Sequence, residues 1–397
     1  DWEELTSIID KSVKYDKNTE AIFKLYFSGV PTNRDEWVYD LEKNNLKNKM
    51  SFFSKTFNEC VKNNFDNKIK WSRDLKGELN RGNKSIFKPN YIINAMYRPF
   101  CKKYQYTEKI FNDVLTQNHY DVLGQDFNKA NQIICIPGVG IDRSYHCIAL
   151  KYLPHLQITP NGHCFSIFVY DQEGNRHDNI TDWGLNQFRT HYKDKKITKE
   201  DIFHYVYAVL HNPAYRKKYE LNLKREFPRI PFYKDFRKWT AFGKELMHLH
   251  INYEEAEPYP LKVIVSKTNP PAAEESTRKK KEAQGIKEEE KIYAGKYKIK
   301  TKLKADKLNG IIEIDEITIL KGIPKQAWEY KLGNRSALEW ILDQYKEKKP
   351  KDPTIAEKFN TYRFADYKEH VLDLLKRVCT VSVKTMEIVG KMGEGIT

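Results

Sequence analysis

Asn269-Pro270-Pro271 is the tripeptide of this chain that comes nearest to a reaction site. Adenine N6 methyl transfer uses an Asn/Asp-Pro-Pro-aromatic motif: the amide accepts hydrogen bonds from the target amino group and the aromatic stacks the flipped base. Here position 272 is alanine, the flanks are polar and no strand pattern precedes the motif, which favours a linker. Pro137-Gly138-Val139-Gly140 is not followed by a helix pattern, which argues against a dinucleotide-binding turn. No Gly-x-x-x-x-Gly-Lys-Ser/Thr run occurs, so the chain encodes no phosphate loop. The six cysteines form no Cys-x-x-Cys pair and none has a histidine at zinc-finger spacing. His163 and Cys164 are neighbours in a strand pattern and point to opposite faces. The chain is therefore expected to hold no cofactor and no metal of its own, and to be catalytically silent.

What remains is the chemistry of recognition. Thr32-Asn33-Arg34-Asp35 forms a turn before Trp37-Val38-Tyr39; Asn33 suits an adenine edge and Arg34 a guanine or a phosphate. The same residues also permit a purely structural turn in which Asp35 pairs with Arg34. Trp71-Ser72-Arg73-Asp74 and Arg81-Gly82-Asn83-Lys84-Ser85 read as a pair of polar loops. Their cations Arg73, Arg81 and Lys84 suit phosphate and groove contacts. Gly333-Asn334-Arg335-Ser336 opens a helix, where Asn334 and Arg335 are placed for a phosphate or base edge, or for a plain cap. Arg98, between Tyr97 and Pro99-Phe100, is read as structural, by stacking or capping.

These residues need a scaffold, and the densest part of it lies between Ile180 and Glu255. Thr198 caps a helix with Ile202, Phe203, Val206, Val209 and Leu210 at helical spacing. Asn212-Pro213 ends it and starts a second helix carrying Tyr215, Tyr219, Leu221 and Leu223 beside Arg216, Lys217, Lys218, Lys224 and Arg225. Pro228 and Pro231 break helicity, and a third helix runs roughly from Tyr233 to His250. His191, His204, His211, His248 and His250 on this scaffold are read as packing or surface residues.

The stretch AVLHNPAYRKKYELNLKREFPRIP (Ala208–Pro231), followed by FGKELMHLHINYE (Phe242–Glu254), resembles the C-terminal specificity region of Type ISP restriction-modification enzymes. Segments Gly29–Asp40, Tyr97–Phe100, His163–Asp171 and Trp328–Tyr345 resemble it in the same order, so the likeness covers roughly residues 20–390. In that family a nuclease, a helicase-type ATPase, a coupler and an N6-adenine methyltransferase precede this region in one polypeptide. The resemblance implies that this chain recognises the double-stranded DNA target, positions the adenine for the methyltransferase and licenses restriction. Its partners would be duplex DNA and the methyltransferase and helicase domains of the parent chain. S-adenosylmethionine, ATP and Mg would serve the parent and have no site here. The chain begins at Asp1 without methionine and is expected to be part of something longer.

Composition is consistent with this. Sixty-nine Lys and Arg against 54 Asp and Glu leave a net charge of +15, which favours an anionic partner, nucleic acid being the commonest. Charge alone supplies mainly sequence-independent affinity. A hydrophobic content of 40% with 13% aromatics indicates a globular chain. No apolar run approaches a membrane span and the cysteine pattern suits a reduced compartment, so a cytoplasmic location and no membrane partner are expected.

The expected fold is mixed α/β (α+β), a small central sheet flanked by helices with a smaller C-terminal α+β lobe. Residues 1–130 read as a mixed helical part of the recognition region and 131–265 as an α/β core with the three-helix segment. Residues 266–291 read as a polar linker or mobile insertion, and 292–397 as the C-terminal lobe, with a hairpin turn at Asn309-Gly310 and a last helix from about Asp366 to Lys391. Two other functions are compatible with the residues: a diverged stand-alone adenine methyltransferase or nuclease, and an RNA-binding or protein-interaction scaffold. The missing motifs carry a direct expectation. Calorimetric titration of the purified chain with S-adenosylmethionine should show no stoichiometric binding, and a measurable one-to-one isotherm would overturn the catalytically silent reading.

Overall fold

A computed structural model describes residues 2–10, 19–141, 144–266 and 298–393. Asn269-Pro270-Pro271 and nearly all of the expected polar linker lie outside the described residues. The mixed α/β expectation is met: helices surround several small sheets.

The organising element is Ile133–Ile136, whose four side chains are all buried. It pairs antiparallel with Ile148–Leu150 on one side and His163–Ser166 on the other, and Phe27–Ser28 completes the sheet. Side chains alternate across a strand, so Ile133 and Cys135 enter one core while Ile134 and Ile136 enter another. That is why this segment reads as an unbroken apolar run: a strand covered on both faces loses the usual alternation.

The second core is the helical lobe. Thr198 caps Lys199–His211 with its hydroxyl on the Asp201 amide, while the Asp201 carboxylate returns to the Thr198 amide. Every side chain from Ile202 to His211 is buried, as expected for a helix that is apolar all round. It crosses the helix Phe236–Ile251 at Gly243, where a Cβ would sit 1.7 Å from the His204 carbonyl oxygen. Only glycine permits that backbone approach.

Two boundaries differ from the sequence expectation. The single helix expected over Tyr215–Arg225 is two, Pro213–Lys218 and Glu220–Arg225, broken at Tyr219 (φ −110°, ψ 25°). The Tyr219 ring packs on Tyr215 at 5.4 Å, a local contact, and on Trp2 at 4.9 Å, a contact that local propensity does not contain. The third helix starts at Phe236, with Asp235 as cap. Tyr233 is instead held by its amide on the Tyr205 hydroxyl and by its ring on Trp239 at 4.1 Å.

The first core is shared between the N-terminal elements and the C-terminal α+β lobe. Lys43–Glu59 contributes Leu46, Met50, Phe53 and Phe57 to it. The C-terminal sheet has the strand order 262–265, 318–321, 311–315, 301–306, all antiparallel. The long helix Phe364–Gly390 places Leu375 and Val378 in the first core and Ile388 in the second. His250 joins the two regions with its Nε2 2.9 Å from the Thr385 hydroxyl. His204, His211 and His250 pack inside, while His191 and His248 are at the surface, as read from the sequence.

Among the described residues, burial pulls six imidazoles below their ordinary value: His119, His155, His204, His211, His250 (down to about 3) and His370. In the unfolded chain the same groups take up protons near about 6.5. The unfolded state therefore binds more protons as pH falls, so their contribution is full above that pH and drains away below it. The melting temperature at constant ionic strength should fall between about pH 7.5 and about pH 5.5. A flat or rising profile would show that these histidines are not buried as neutral groups.

Candidate nucleic-acid interface

Strand Ile92–Arg98 ends in Tyr97 and Arg98 and pairs in parallel with Leu153–Pro154, which delivers His155 beside them. Val30 in turn exchanges hydrogen bonds with Pro154 and Leu156, laying the Pro31–Asp35 turn alongside. Gly29 makes this approach possible, since a Cβ there would lie 2.5 Å from the His155 carbonyl oxygen.

The four groups so assembled form one network. The Asp35 carboxylate accepts from the Thr32 hydroxyl, from the Tyr97 hydroxyl at 3.0 Å and from His155 Nε2 at 3.0 Å. His155 Nδ1 accepts from the Gln157 amide at 2.9 Å and from Arg98 Nη1 at 2.8 Å, so the imidazole proton is on Nε2. Burial holds His155 below its ordinary pKa, and the ring is neutral at pH 7. Burial alone would raise Asp35, but the bonds from His155 and Thr32 and the nearby Arg98 charge outweigh it and hold the carboxyl well below the usual range. Arg98 lies over the Tyr97 ring at 4.0 Å. It stacks, as expected, and it also faces solvent cavities on two sides.

Those cavities, of about 570 and 720 Å³, adjoin at Arg98 and Gln157, which line both, and the pair makes up a trough. One end holds Asn33 and Lys70, the other Asn334, Arg335 and Lys348, with Lys351 on the rim. The second end is the tight hairpin Lys331–Ser336, where Gly333 has φ +69°. Ser336 caps the helix Ala337–Tyr345, leaving Asn334 and Arg335 exposed on the turn before it. Arg335 sits 5.0 Å over the Trp340 ring and 3.5 Å from Asp343, which fixes its direction. A third cavity of about 470 Å³ shares Gly333 with the trough and is walled by Arg216, Lys217, Lys224 and Lys331. Of the basic residues of the helical scaffold, Arg216, Lys217 and Lys224 line this cavity, while Lys218 and Arg225 are exposed outside it.

The site residues expected from sequence divide accordingly. Asn33, Asn334 and Arg335 share the trough. Asn33 is exposed in the left-handed region (φ 53°), which asparagine tolerates, and its amide donates to Asp113 at 2.6 Å. Arg34, expected to reach a base or phosphate, is instead fully buried. Its guanidinium donates to the Phe111 carbonyl at 2.6 Å and to Ser72, and pairs with Asp113 at 2.9 Å. Asp35, expected as its partner, belongs to His155. Arg73, Arg81 and Lys84 lie outside the trough: Arg73 is exposed and paired with Asp74, Arg81 with Glu78, and Lys84 donates to the Asn58 carbonyl. Gln157, Lys70, Lys348 and Lys351 escaped the sequence reading, because isolated polar residues carry no motif.

No group of His, Cys, Asp or Glu among the described residues is arranged to hold a metal ion. No described helix is long and apolar enough to cross a membrane.

The Type ISP C-terminal specificity domain family matches residues 21–374. Three solved structures are similar over the whole chain. In a DrdV–DNA complex the matching region is 41% identical with a TM-score of 0.89, covering 100% of this chain and 38% of that one. A nuclease-deletion mutant of the Type ISP restriction-modification enzyme LlaGI, in complex with a DNA substrate mimic, is 29% identical with a TM-score of 0.77, covering 99% and 34%. The ATP-dependent Type ISP enzyme LlaBIII bound to DNA is 26% identical with a TM-score of 0.80, covering 99% and 25%. The chain thus spans less than two fifths of each of these proteins. No curated protein matches it. The comparisons lend no support to a stand-alone methyltransferase or nuclease, or to an RNA-binding or protein-interaction scaffold.

The buried Arg34–Asp113 pair generates a stability test. Asp113→Ala removes the acceptor of Arg34, Asn33 and Ser72 together and leaves a buried guanidinium uncompensated. Urea unfolding should show a loss of about 3–5 kcal/mol. A loss below about 1 kcal/mol would mean that Arg34 turns outward to water instead.

Proposed function

The chain belongs to the Type ISP C-terminal specificity domain family, and from that premise we propose that it recognises a duplex DNA sequence and positions the target adenine for a methyltransferase domain of the same polypeptide. The observation that carries the reading is the trough, in which two exposed turns from opposite ends of the sequence face a common floor of Arg98 and Gln157. Lys70, Lys348 and Lys351 on its rims supply phosphate contacts that set register. Asn334 and Arg335 are exposed, and Arg335 is directed by Trp340 and Asp343, which suits base-edge reading in a groove. Asn33, with its amide nitrogen committed to Asp113, retains a carbonyl oxygen as acceptor for a base amino group. Arg73 adds a further exposed cation next to Ser72, close to the Asn33 end.

The target adenine is flipped in the methyltransferase domain, not here. That domain takes S-adenosylmethionine, and the helicase and nuclease of the parent take ATP and Mg. This chain supplies the decision of where they act, in the cytoplasm. The DNA-bound state of three similar proteins supports duplex DNA as the ligand.

The test compares cognate, single-base-changed and random duplexes by fluorescence anisotropy of the full-length enzyme at fixed salt. Asn334→Ala should cost about 1–3 kcal/mol on the cognate site and much less on random DNA. Lys70→Ala should weaken all duplexes alike and flatten the salt slope by about one. Equal losses on every duplex for Asn334→Ala would make it a backbone contact, and no loss in either variant would remove the trough from the interface.

A further inference from the structure

The strands Thr301–Asp306 and Ile311–Asp315 are joined by the loop Lys307-Leu308-Asn309-Gly310, on which Leu308 is 99% exposed. No other large apolar side chain among the described residues is so completely in water. Hydrogen bonds brace the loop that holds it. The Asp306 carboxylate accepts from the Asn309 amide N–H at 3.2 Å and from its side-chain nitrogen at 2.7 Å. The Gly310 carbonyl accepts from the backbone N–H groups of Gly322 and Ile323 at 3.1 and 3.0 Å, clamping the base of the loop to the next strand connection.

The tip is also tied to the trough. Lys307 pairs with Glu339 at 2.8 Å, and Glu339 accepts from the Ser336 amide at 2.8 Å, at the helix cap immediately after Asn334 and Arg335. The loop therefore stands beside the turn assigned to base reading, one ion pair away from it.

We propose that Leu308 is an apolar wedge that enters the base stack of the bound duplex next to the trough. The inference rests on the DNA-recognition reading above. A narrow, hydrogen-bonded hairpin tip with one leucine beside Asn309 and the exposed Lys304 has the makeup of a groove-inserting element: Lys304 approaches a phosphate while the apolar group replaces stacking at one step. A protein-docking surface would call for a contiguous apolar patch, and Leu308 stands alone. The exposed Val263, Ile264 and Val265 belong to the opposite edge strand of the sheet. Insertion would kink the duplex, so flexible pyrimidine–purine steps at that position would be favoured without any contact to a base edge.

The experiment uses the full-length enzyme with cognate duplexes carrying 2-aminopurine at successive positions other than the methylated adenine. Anisotropy reports binding, and 2-aminopurine fluorescence reports unstacking. The wild type should show a fluorescence rise at one step beside the site. Leu308→Ala should lose most of that rise while binding within about threefold of wild type, since phosphate contacts dominate affinity. Leu308→Phe should keep the rise. A side chain this exposed has no packing to lose, so either variant folds. If the rise is unchanged in Leu308→Ala, or absent at every position in a wild type that binds, the wedge is wrong. If Leu308→Ala leaves both DNA signals intact and instead speeds amide exchange in another domain, the tip is a protein contact and the inference is overturned. If the wild type binds no duplex at all, the DNA reading itself falls, and anisotropy alone reveals it.

Discussion

A strand with no exposed face is the constraint on which the rest of the structure depends. Ile133–Ile136 sends alternate side chains into two separate cores, so both the helical lobe and the N-terminal elements must be in place before it is covered. The long helix Phe364–Gly390 answers the same demand from the far end of the chain by entering both cores. Segments distant in sequence are thereby held at fixed relative positions. A recognition surface needs that fixity, because base-edge hydrogen bonds tolerate little misplacement.

The trough applies the same logic to charge. Its floor is built from groups that satisfy one another: Asp35 takes three donors, His155 spends both ring nitrogens, and Arg98 is held by Tyr97 and His155. Beside this network, the buried Arg34 is neutralised by Asp113. Buried charge left unmatched would be costly, and matched charge fixes direction. The residues above this layer, Asn334, Lys70 and Lys351, are exposed on a surface that cannot easily collapse around them. An outward cation on an inwardly satisfied scaffold is free to meet a phosphate without dismantling the fold.

Much of this scaffold was legible locally. The Thr198 and Ser336 caps, the strand at Ile133, the hairpin at Asn309-Gly310 and the buried helix after Thr198 follow from neighbours within a few residues. The break at Tyr219 was not legible: its ring packs on Trp2, far away in sequence, and nothing near it in the chain signals that contact. Nor was the role of Arg34. An arginine in a polar turn carries the same spacing whether it points to solvent or to a partner, and Asp113 decides the matter from another part of the chain.

By itself, then, the sequence determined the chain's class, its main helices and strands, its excess of positive charge and its resemblance to a specificity region, because each depends on composition or on short-range periodicity. Tertiary structure alone decided which of the polar turns share a surface. Asn33 and Asn334 are roughly 300 residues apart in the chain, and their meeting in one trough depends on a parallel strand pair, a glycine without room for a Cβ and two cores divided by one buried sheet. Long-range contacts of that kind leave no period in the sequence, because the energy that creates them comes from burial summed over many residues and not from the few that end up facing the ligand.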